Sequence, residues 1–251
     1  MTNLRGDARV VANEPLTEQI YRLRFECAGF EQAYPGQFVN VSIPGFFLRR
    51  PLAIADCEWR DGRAIVSVII AKVGAGTRAL AEIAVGSVID VLGPLGHGFD
   101  MSCVGDRPVL IGGGSGIPPL YFAAKAAVAQ GARPQVVLGF RTASAVYAAD
   151  EFAALGCDVS VTTEDGSFGV RGYVTAALPQ DTRQVLACGP EGMLRSLKAQ
   201  VSGHLQVSLE SHMGCGFGAC LGCSVPTVRG LERVCVEGPV FDGADVLEEV
   251  A

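Results

Sequence analysis

Four cysteines near the end of the chain constrain its fold more than any other feature. Cys215, Cys220, Cys223 and Cys235 follow the spacing C-x4-C-x2-C-x11-C. Two irons bridged by two sulfides need four thiolate ligands, and ligands at x4 and x2 spacing suit one short loop wrapped around such a [2Fe-2S] cluster. Gly214, Gly216, Gly218 and Gly222 interleave these cysteines. Glycine permits positive φ and close backbone approach, so N–H groups can aim at sulfur and tune its potential. Structural zinc is the alternative use of four thiolates. Zinc sites usually draw on two separate cysteine pairs, whereas here three cysteines crowd one loop and the fourth stands alone. The pattern favours iron and sulfide over zinc. A disulfide framework fits least, because the chain is 251 residues long and begins without a secretion-like apolar run.

Length and an apolar content of 49% allow two domains or one large one, each with its own core. The net charge of −6, with no Lys/Arg cluster longer than a pair, argues against a nucleic-acid surface. No stretch approaches the roughly 18 apolar residues of a membrane span. A soluble, cytoplasmic chain is expected. Cys27, Cys57, Cys103, Cys157 and Cys188 are scattered singly, which fits a reducing compartment and mostly buried apolar roles.

The first hundred residues read as a small antiparallel barrel. Tyr21, Leu23 and Phe25 alternate with Arg22, Arg24 and Glu26 as in a half-buried strand. Further short β-rich runs follow, separated by Gly and Pro turns. Two stretches carry chemistry. In Leu48-Arg49-Arg50-Pro51-Leu52-Ala53, an Arg before a rigid Pro at a strand edge can pair bidentately with a diphosphate. Gly74-Ala75-Gly76-Thr77 opens an expected helix over residues 78–83 and offers backbone N–H groups to a phosphate. Each stretch taken alone is also an ordinary strand edge or a Thr-capped turn.

From Arg107 the pattern becomes alternating short strands and helices, the signature of a parallel, doubly wound sheet. Gly112, Gly113, Gly114, Ser115 and Gly116 follow the first strand, and an Ala-rich helix follows them. Strand, glycine loop and helix make a phosphate cradle, although Pro119 stands where the third Gly of G-x-G-x-x-G belongs. A helix is expected over residues 173–178. Ligands bind such sheets at the carboxyl ends of the strands. There Cys188-Gly189-Pro190 can join the glycine loop, and Glu164 or Asp165 can accept from a ribose hydroxyl.

These motifs, in this order, resemble the ferredoxin-reductase superfamily. Within it the chain is similar to the family of electron-transfer subunits of dihydroorotate dehydrogenase B. The resemblance covers almost the whole chain. It is carried by residues 35–38, Arg49-Arg50-Pro51-Leu52, residues 90–96, 112–119 and 213–223, and by Val234-Cys235-Val236-Glu237-Gly238-Pro239-Val240-Phe241. It implies an FAD site formed by Arg50, Pro51, Leu52 and Ala53 with Ile70, Ala71 and Lys72, and with Gly76 and Thr77 at phosphate. It implies a nicotinamide nucleotide (NAD) held by Gly112, Gly113, Gly114, Ser115 and Gly116 with Cys188, Gly189 and Pro190. Cys215, Cys220, Cys223 and Cys235 would hold the cluster. The family usually has Ser at position 53, so Ala53 leaves only a backbone N–H there for the flavin ring.

The expected protein is multi-domain. An antiparallel β-barrel FAD domain spans residues 1–100, a doubly wound α/β NAD domain 101–208 and a small [2Fe-2S] domain 209–251. The resemblance implies an electron relay between NAD and a partner subunit that carries FMN and oxidises dihydroorotate, in a heterotetramer of two of each. No catalytic side chain is expected in this chain, and no dihydroorotate turnover by the chain alone. Two rivals share the motifs: a diaphorase subunit serving a hydrogenase, a transhydrogenase or ferredoxin, and a zinc-stapled interaction module.

Overall fold

Apolar and polar residues alternate through the first third because its strands close on themselves around one interior. Strands β1 (Leu4–Pro15), β2 (Ile20–Cys27), β3 (Phe38–Val41), β4 (Arg50–Arg60), β5 (Arg63–Ala71) and β6 (Val88–Leu95) form a closed antiparallel barrel in the order β1-β2-β5-β4-β3-β6. The computed structural model describes residues 4–246, so the expected segment ends at residues 1–3 and 247–251 lie outside the described residues. Leu23, Phe25, Val66 and Val68 fill the barrel with no exposed surface. Register shifts interrupt the β1–β2, β3–β6 and β4–β5 pairings. Such bulges bend strands and re-aim side chains. Opposite Phe38 and Asn40 of β3, the partner β6 runs from Leu95 to Leu92, so the extra residue is on β6.

Helix α1 (Ala75–Ala81) lies between β5 and β6. It starts three residues before the expected span because the Thr77 hydroxyl and the Gly74 backbone cap each other across 3.0 and 3.1 Å. Arg22, on the outward face of β2, is nevertheless 9% exposed. The α/β half covers it, and Glu151 pairs with its guanidinium at 2.6 Å.

The α/β half comprises β7 (Val109–Gly113), α2 (Ile117–Ala129), β8 (Gln135–Phe140), α3 (Ala149–Ala154), β9 (Asp158–Thr163), β10 (Val170–Arg171), β11 (Gln184–Cys188), α4 (Glu191–Gln200) and β12 (His204–Ser208). After a hairpin of β13 (Ser224–Thr227) and β14 (Gly230–Arg233) comes β15 (Val240–Asp242). One seven-stranded sheet runs β10-β9-β8-β7-β11-β12-β15. It is parallel except for β15, which pairs antiparallel with β12. Successive residues of β7 serve opposite layers: Val109 and Ile111 pack with Leu194 and Leu197 of α4, and Leu110 with Leu120 of α2 and Phe152 of α3. Helices therefore cover both faces, as the alternating pattern requires. The helix expected over 173–178 is only a 3-10 turn, Val174–Ala177. Two β-branched residues start it, and Leu178 before Pro179 is extended, which stops an α-helix.

The last segment is tied to both halves. His97 N–H donates to the Gly238 carbonyl at 2.6 Å, and Leu209 N–H to the Pro239 carbonyl at 2.8 Å. A Cβ on Gly96 would fall 2.7 Å from the Gly238 oxygen, so the approach at that point depends on glycine.

Candidate functional site

The spacing of the four cysteines acquires a physical reason in the hairpin. Ser224 pairs with Arg233 at its open end, which brings the flanking Cys223 and Cys235 together. The eleven intervening residues are the hairpin and its flanks. Cys223 and Cys235 are buried, Cys215 is half-buried and Cys220 is exposed. The thiols fall into two contacting pairs. Cys215 and Cys220 hydrogen-bond each other, with Cys215 N–H 3.4 Å from the Cys220 sulfur. Cys223 and Cys235 do the same, and the Gly218 backbone reaches the Cys235 sulfur from the loop. Among the described residues no three His, Cys, Asp or Glu side chains converge as a single metal ion would need. Two adjacent pairs suit two metal centres, each taking two thiolates.

The loop backbone supplies the hydrogen bonds such thiolates need. Ala219 and Cys220 N–H groups donate to the Cys215 sulfur at 3.2 and 3.4 Å. Burial opposes ionisation of Cys215, but these donors with Phe217 N–H and Cys220 outweigh it and lower its pKa. Burial first, then neighbouring Cys223, raises that of Cys235. The donor set therefore fits a [2Fe-2S] cluster, whose ligands are deprotonated on binding.

Arg233 and Glu237 brace the loop. Arg233 Nη1 donates to the Gly218 carbonyl at 3.1 Å and its Nε to Glu237 at 3.0 Å. Hydrogen bonding from Arg233 brings the Glu237 carboxyl down to about 2. A carboxyl depressed in the fold stabilises it above the unfolded pKa of about 4.3, and that contribution is lost as pH falls toward about 2. Glu237→Gln is expected to lower the denaturation midpoint modestly at neutral pH, because the pair is partly exposed. The gap from wild type should close as the pH drops below about 4.

On the barrel, β4 and α1 bring two distant motifs into contact. Arg50 Nε and Nη2 lie 2.8 Å from where a Gly76 Cβ would sit. Only glycine leaves room for that guanidinium, which also stacks 5.2 Å from the Phe46 ring centroid. Its neighbour Arg49 is committed to Asp90 at 2.6 Å. Pro51, Leu52 and Ala53 continue β4, half-buried, opposite Asn40, Val39 and Phe38. The fork and glycine side by side fit a diphosphate. The remaining expected residues make contacts of their own. The Thr77 hydroxyl stays within its own turn, and its carbonyl accepts from Tyr21 Oη at 2.8 Å. Lys72 Nζ donates to the Glu18 carbonyl at 3.2 Å. Ile70 is buried in the barrel core and Ala71 is half-buried at its end.

At the carboxyl ends of β7 and β11 the two expected loops meet. A Cβ on Gly116 would land 2.2 Å from the Cys188 oxygen, and one on Gly113 3.0 Å from Pro190. A Cβ on Gly189 would fall 3.1 Å from Gly113 N. Beside them opens a cleft of about 700 Å³ lined by Gly113, Gly114, Ser115, Arg141, Thr162, Glu164 and Pro190. Thr162 Oγ1 is buried there without a hydrogen-bond partner among the described residues, so a bound polar group would satisfy it. Gly112 is the next-to-last residue of β7, behind the loop. Of the two acidic candidates, Glu164 lines the cleft, while Asp165 caps its own turn by accepting from Ser167 N–H at 3.0 Å and its hydroxyl at 2.6 Å.

One residue that sequence reasoning missed links barrel and cysteine loop. Asn40 of β3 is 1% exposed and donates through Nδ2 to the Cys215 carbonyl at 3.2 Å. Its Oδ1 has no hydrogen-bond partner among the described residues. A second missed contact joins the glycine loop to the segment entering the cysteines, from the Ser115 hydroxyl to Glu210 at 3.1 Å.

Comparison with known proteins agrees with this geometry. Residues 210–247 match the iron-sulfur cluster binding domain of dihydroorotate dehydrogenase B, and residues 110–199 match the oxidoreductase NAD-binding domain. The dihydroorotate dehydrogenase B (NAD(+)) electron transfer subunit of Geobacillus thermodenitrificans (strain NG80-2) is 40% identical over 252 residues, covering 95% of this chain and 96% of the relative. That of Streptococcus thermophilus (strain ATCC BAA-491 / LMD-9) is 35% identical, covering 96% and 98%. An NADH-dependent reduced ferredoxin-NADP oxidoreductase structure, described for flavin-based electron bifurcation, superposes with a TM-score of 0.86 at 30% identity, covering 96% of this chain and 90% of that one. With such identity across nearly the full length of both chains, this chain belongs to the family of electron-transfer subunits of dihydroorotate dehydrogenase B.

Proposed function

We infer that this chain relays electrons between NAD and a partner dihydroorotate dehydrogenase subunit, in pyrimidine biosynthesis. The partner carries FMN, two copies of each chain assemble, and the complex is cytoplasmic. Among the described residues no helix is long and apolar enough to cross a membrane. When bound, FAD supplies the exchange between two-electron hydride and one-electron transfers, and the cluster carries single electrons. We assign the FAD domain to residues 1–100, the NAD domain to 101–208 and the cluster domain to 209–251, with β15 of the last completing the sheet of the second.

The chain's own residues bind, orient and connect. Arg50 and Gly76 hold the FAD diphosphate, with residues 51–53 along the flavin. Residues 112–116 and 188–190 take the NAD pyrophosphate, and Glu164 a ribose hydroxyl. Cys215 with Cys220, and Cys223 with Cys235, each take one iron. The observation that carries this reading is the single-residue bridge Asn40, whose strand pairs with the cradle strand β4 and whose amide holds the Cys215 carbonyl. This supports a short path, because the cluster loop touches β3 and β3 pairs with β4. Phe217 and Leu221, 50% and 62% exposed beside Cys220, give the partner an apolar surface over the cluster. The experiment is a count of flavin, iron and sulfide on anaerobically purified chain. One FAD and one [2Fe-2S] per chain are expected; stoichiometric zinc without sulfide would overturn the reading.

Arg50→Ala is expected to weaken FAD retention by about 10-fold or more, the loss typical of a charge-assisted bidentate contact. NADH affinity should change little, since Arg50 lies outside the glycine-loop cleft. Arg50→Lys should retain FAD little better, because lysine lacks the planar fork. Flavin content after dialysis checks this, and full retention in Arg50→Ala would reject the role.

A further inference from the structure

Away from the cradle, the cleft and the cysteine loop, four side chains from three separate segments form a hydrogen-bonded line. Cys103 lies on the connection between β6 and β7. His204 and Gln206 belong to β12, and Asp242 to β15. His204 Nδ1 is 3.6 Å from the Cys103 sulfur, and its Nε2 is 3.1 Å from Asp242 Oδ2. Gln206 Nε2 donates to the same sulfur at 3.4 Å. This cluster sits at the amino end of β12, where His204 pairs with Gln184; the nucleotide cleft lies at the other end of the neighbouring strands.

The chemistry of this line is directional. Asp242 accepts only, so the proton of a neutral His204 resides on Nε2. That leaves Nδ1 as an acceptor 3.6 Å from the thiol, and the thiol has the Asp100 carbonyl as a second, nearer acceptor at 3.2 Å at rest. Nucleophile, base and orienting carboxylate are then in sequence, the arrangement that activates a weak nucleophile. Gln206 adds a donor to the sulfur as negative charge develops. Cys103 and His204 are both half-buried rather than sealed, so a small reagent can reach the sulfur. Cys27, Cys157 and Cys188 are buried. Cys57, half-buried in the barrel, has its thiol pushed up to about 12, by burial first and then by Asp56.

We propose that Cys103, with His204 as general base oriented by Asp242, is a nucleophilic thiol site for disulfide reagents, open to reversible thiolation. In the step, His204 Nδ1 takes the Cys103 proton while sulfur attacks one sulfur of an incoming small disulfide, RS–SR. The S–S bond breaks, Cys103–S–SR forms, and the departing thiolate leaves as RSH with the proton from His204. No net oxidant beyond the disulfide is consumed. The resting thiol is neutral: burial first, then the carboxylate of Asp100, raises its pKa, and Asp242 adds to this. Activation is therefore by proton removal during attack, not by a standing thiolate. The charged and titratable groups around the sulfur are Asp100, on its own connection, and His204 and Asp242 on the strands packed against it.

The test uses anaerobic full-length holoprotein and a limiting amount of the aromatic disulfide of thionitrobenzoate. Thionitrobenzoate release gives the rate, and peptide mapping gives the site. Cys103 is expected to react first, and Cys103→Ser to remove the fast phase. His204→Gln should slow that phase by about 100-fold, the lower end of general-base contributions, and Asp242→Asn less. The pH dependence of the Cys103 rate should differ between wild type and His204→Gln. Unchanged circular dichroism and flavin content in the variants separate lost activation from lost structure. First labelling at Cys57, or an equal Cys103 rate and pH profile in wild type and His204→Gln, would overturn the proposal.

Discussion

Cys220→Ala is expected to purify with flavin but without its iron-sulfur cluster, whereas Cys57→Ala keeps both. Cys220 forms one of the two thiol pairs and receives support from the loop backbone through Cys215. Its removal leaves an iron with an open position, a larger insult than the 10–100-fold loss of affinity that follows when only a ligand's supporting partner is changed, on the order of magnitude known for metal sites. Cys57 hydrogen-bonds the Phe30 carbonyl at 3.4 Å in the barrel, far from that chemistry. Iron and sulfide analysis with the visible spectrum of both variants decides the matter. Equal cluster loss in the two, or a full cluster in Cys220→Ala, would mean the ligand assignment is wrong.

Gly216→Ala is expected to lose most of its cluster while keeping its FAD. Gly216 has a φ of +76°, and a Cβ there would lie 1.8 Å from Asn40 Nδ2. The left-handed backbone alone costs a non-glycine residue about 1–2 kcal/mol. The clash adds to this, because Asn40 is 1% exposed and cannot swing away without releasing the Cys215 carbonyl. Gly230→Ala isolates the backbone term: its φ is +107°, but nothing lies within 4 Å of its Cβ position. It should retain the cluster. The double change Asn40→Ala, Gly216→Ala should recover part of the loss, since it removes the clash and leaves the strain. Iron content and the electron paramagnetic resonance of the reduced cluster read all three. Equal loss in Gly216→Ala and Gly230→Ala would show that strain, not the approach of Asn40, governs the loop.

Much of this architecture is written in local pattern. Tyr21, Leu23 and Phe25 alternate because one face of β2 fills the barrel, and residues 112–116 follow a buried strand because they end it over the cleft. The cysteine spacing was legible as a loop of three and a distant fourth. That the distance is a hairpin, pairing Cys223 with Cys235, depends on the Ser224 to Arg233 register, which spacing does not state. Residues whose meaning is set by a distant partner stayed silent. Asn40 reads as a polar residue in an apolar strand until the Cys215 carbonyl appears beside it. Arg22 reads as a solvated face until α3 supplies Glu151. His204 reads as isolated because Cys103 is 101 residues away. Thr77 and Asp165 show the reverse case. Each is a residue type apt for phosphate or ribose, yet each spends its side chain on its own turn.

The central claim is that this chain conducts between NAD and a partner and does not itself transform the pyrimidine. The direct measurement is an anaerobic steady-state assay with dihydroorotate and NAD, run on the chain alone and with the partner catalytic subunit from the same genome. The chain alone should reduce dyes with NADH and leave dihydroorotate untouched. With the partner, orotate and NADH should form in equal amounts, and Cys220→Ala should abolish NADH formation while the partner still reduces dyes with dihydroorotate. Orotate formed by the chain alone, or NAD-linked turnover undiminished in Cys220→Ala, would contradict the account.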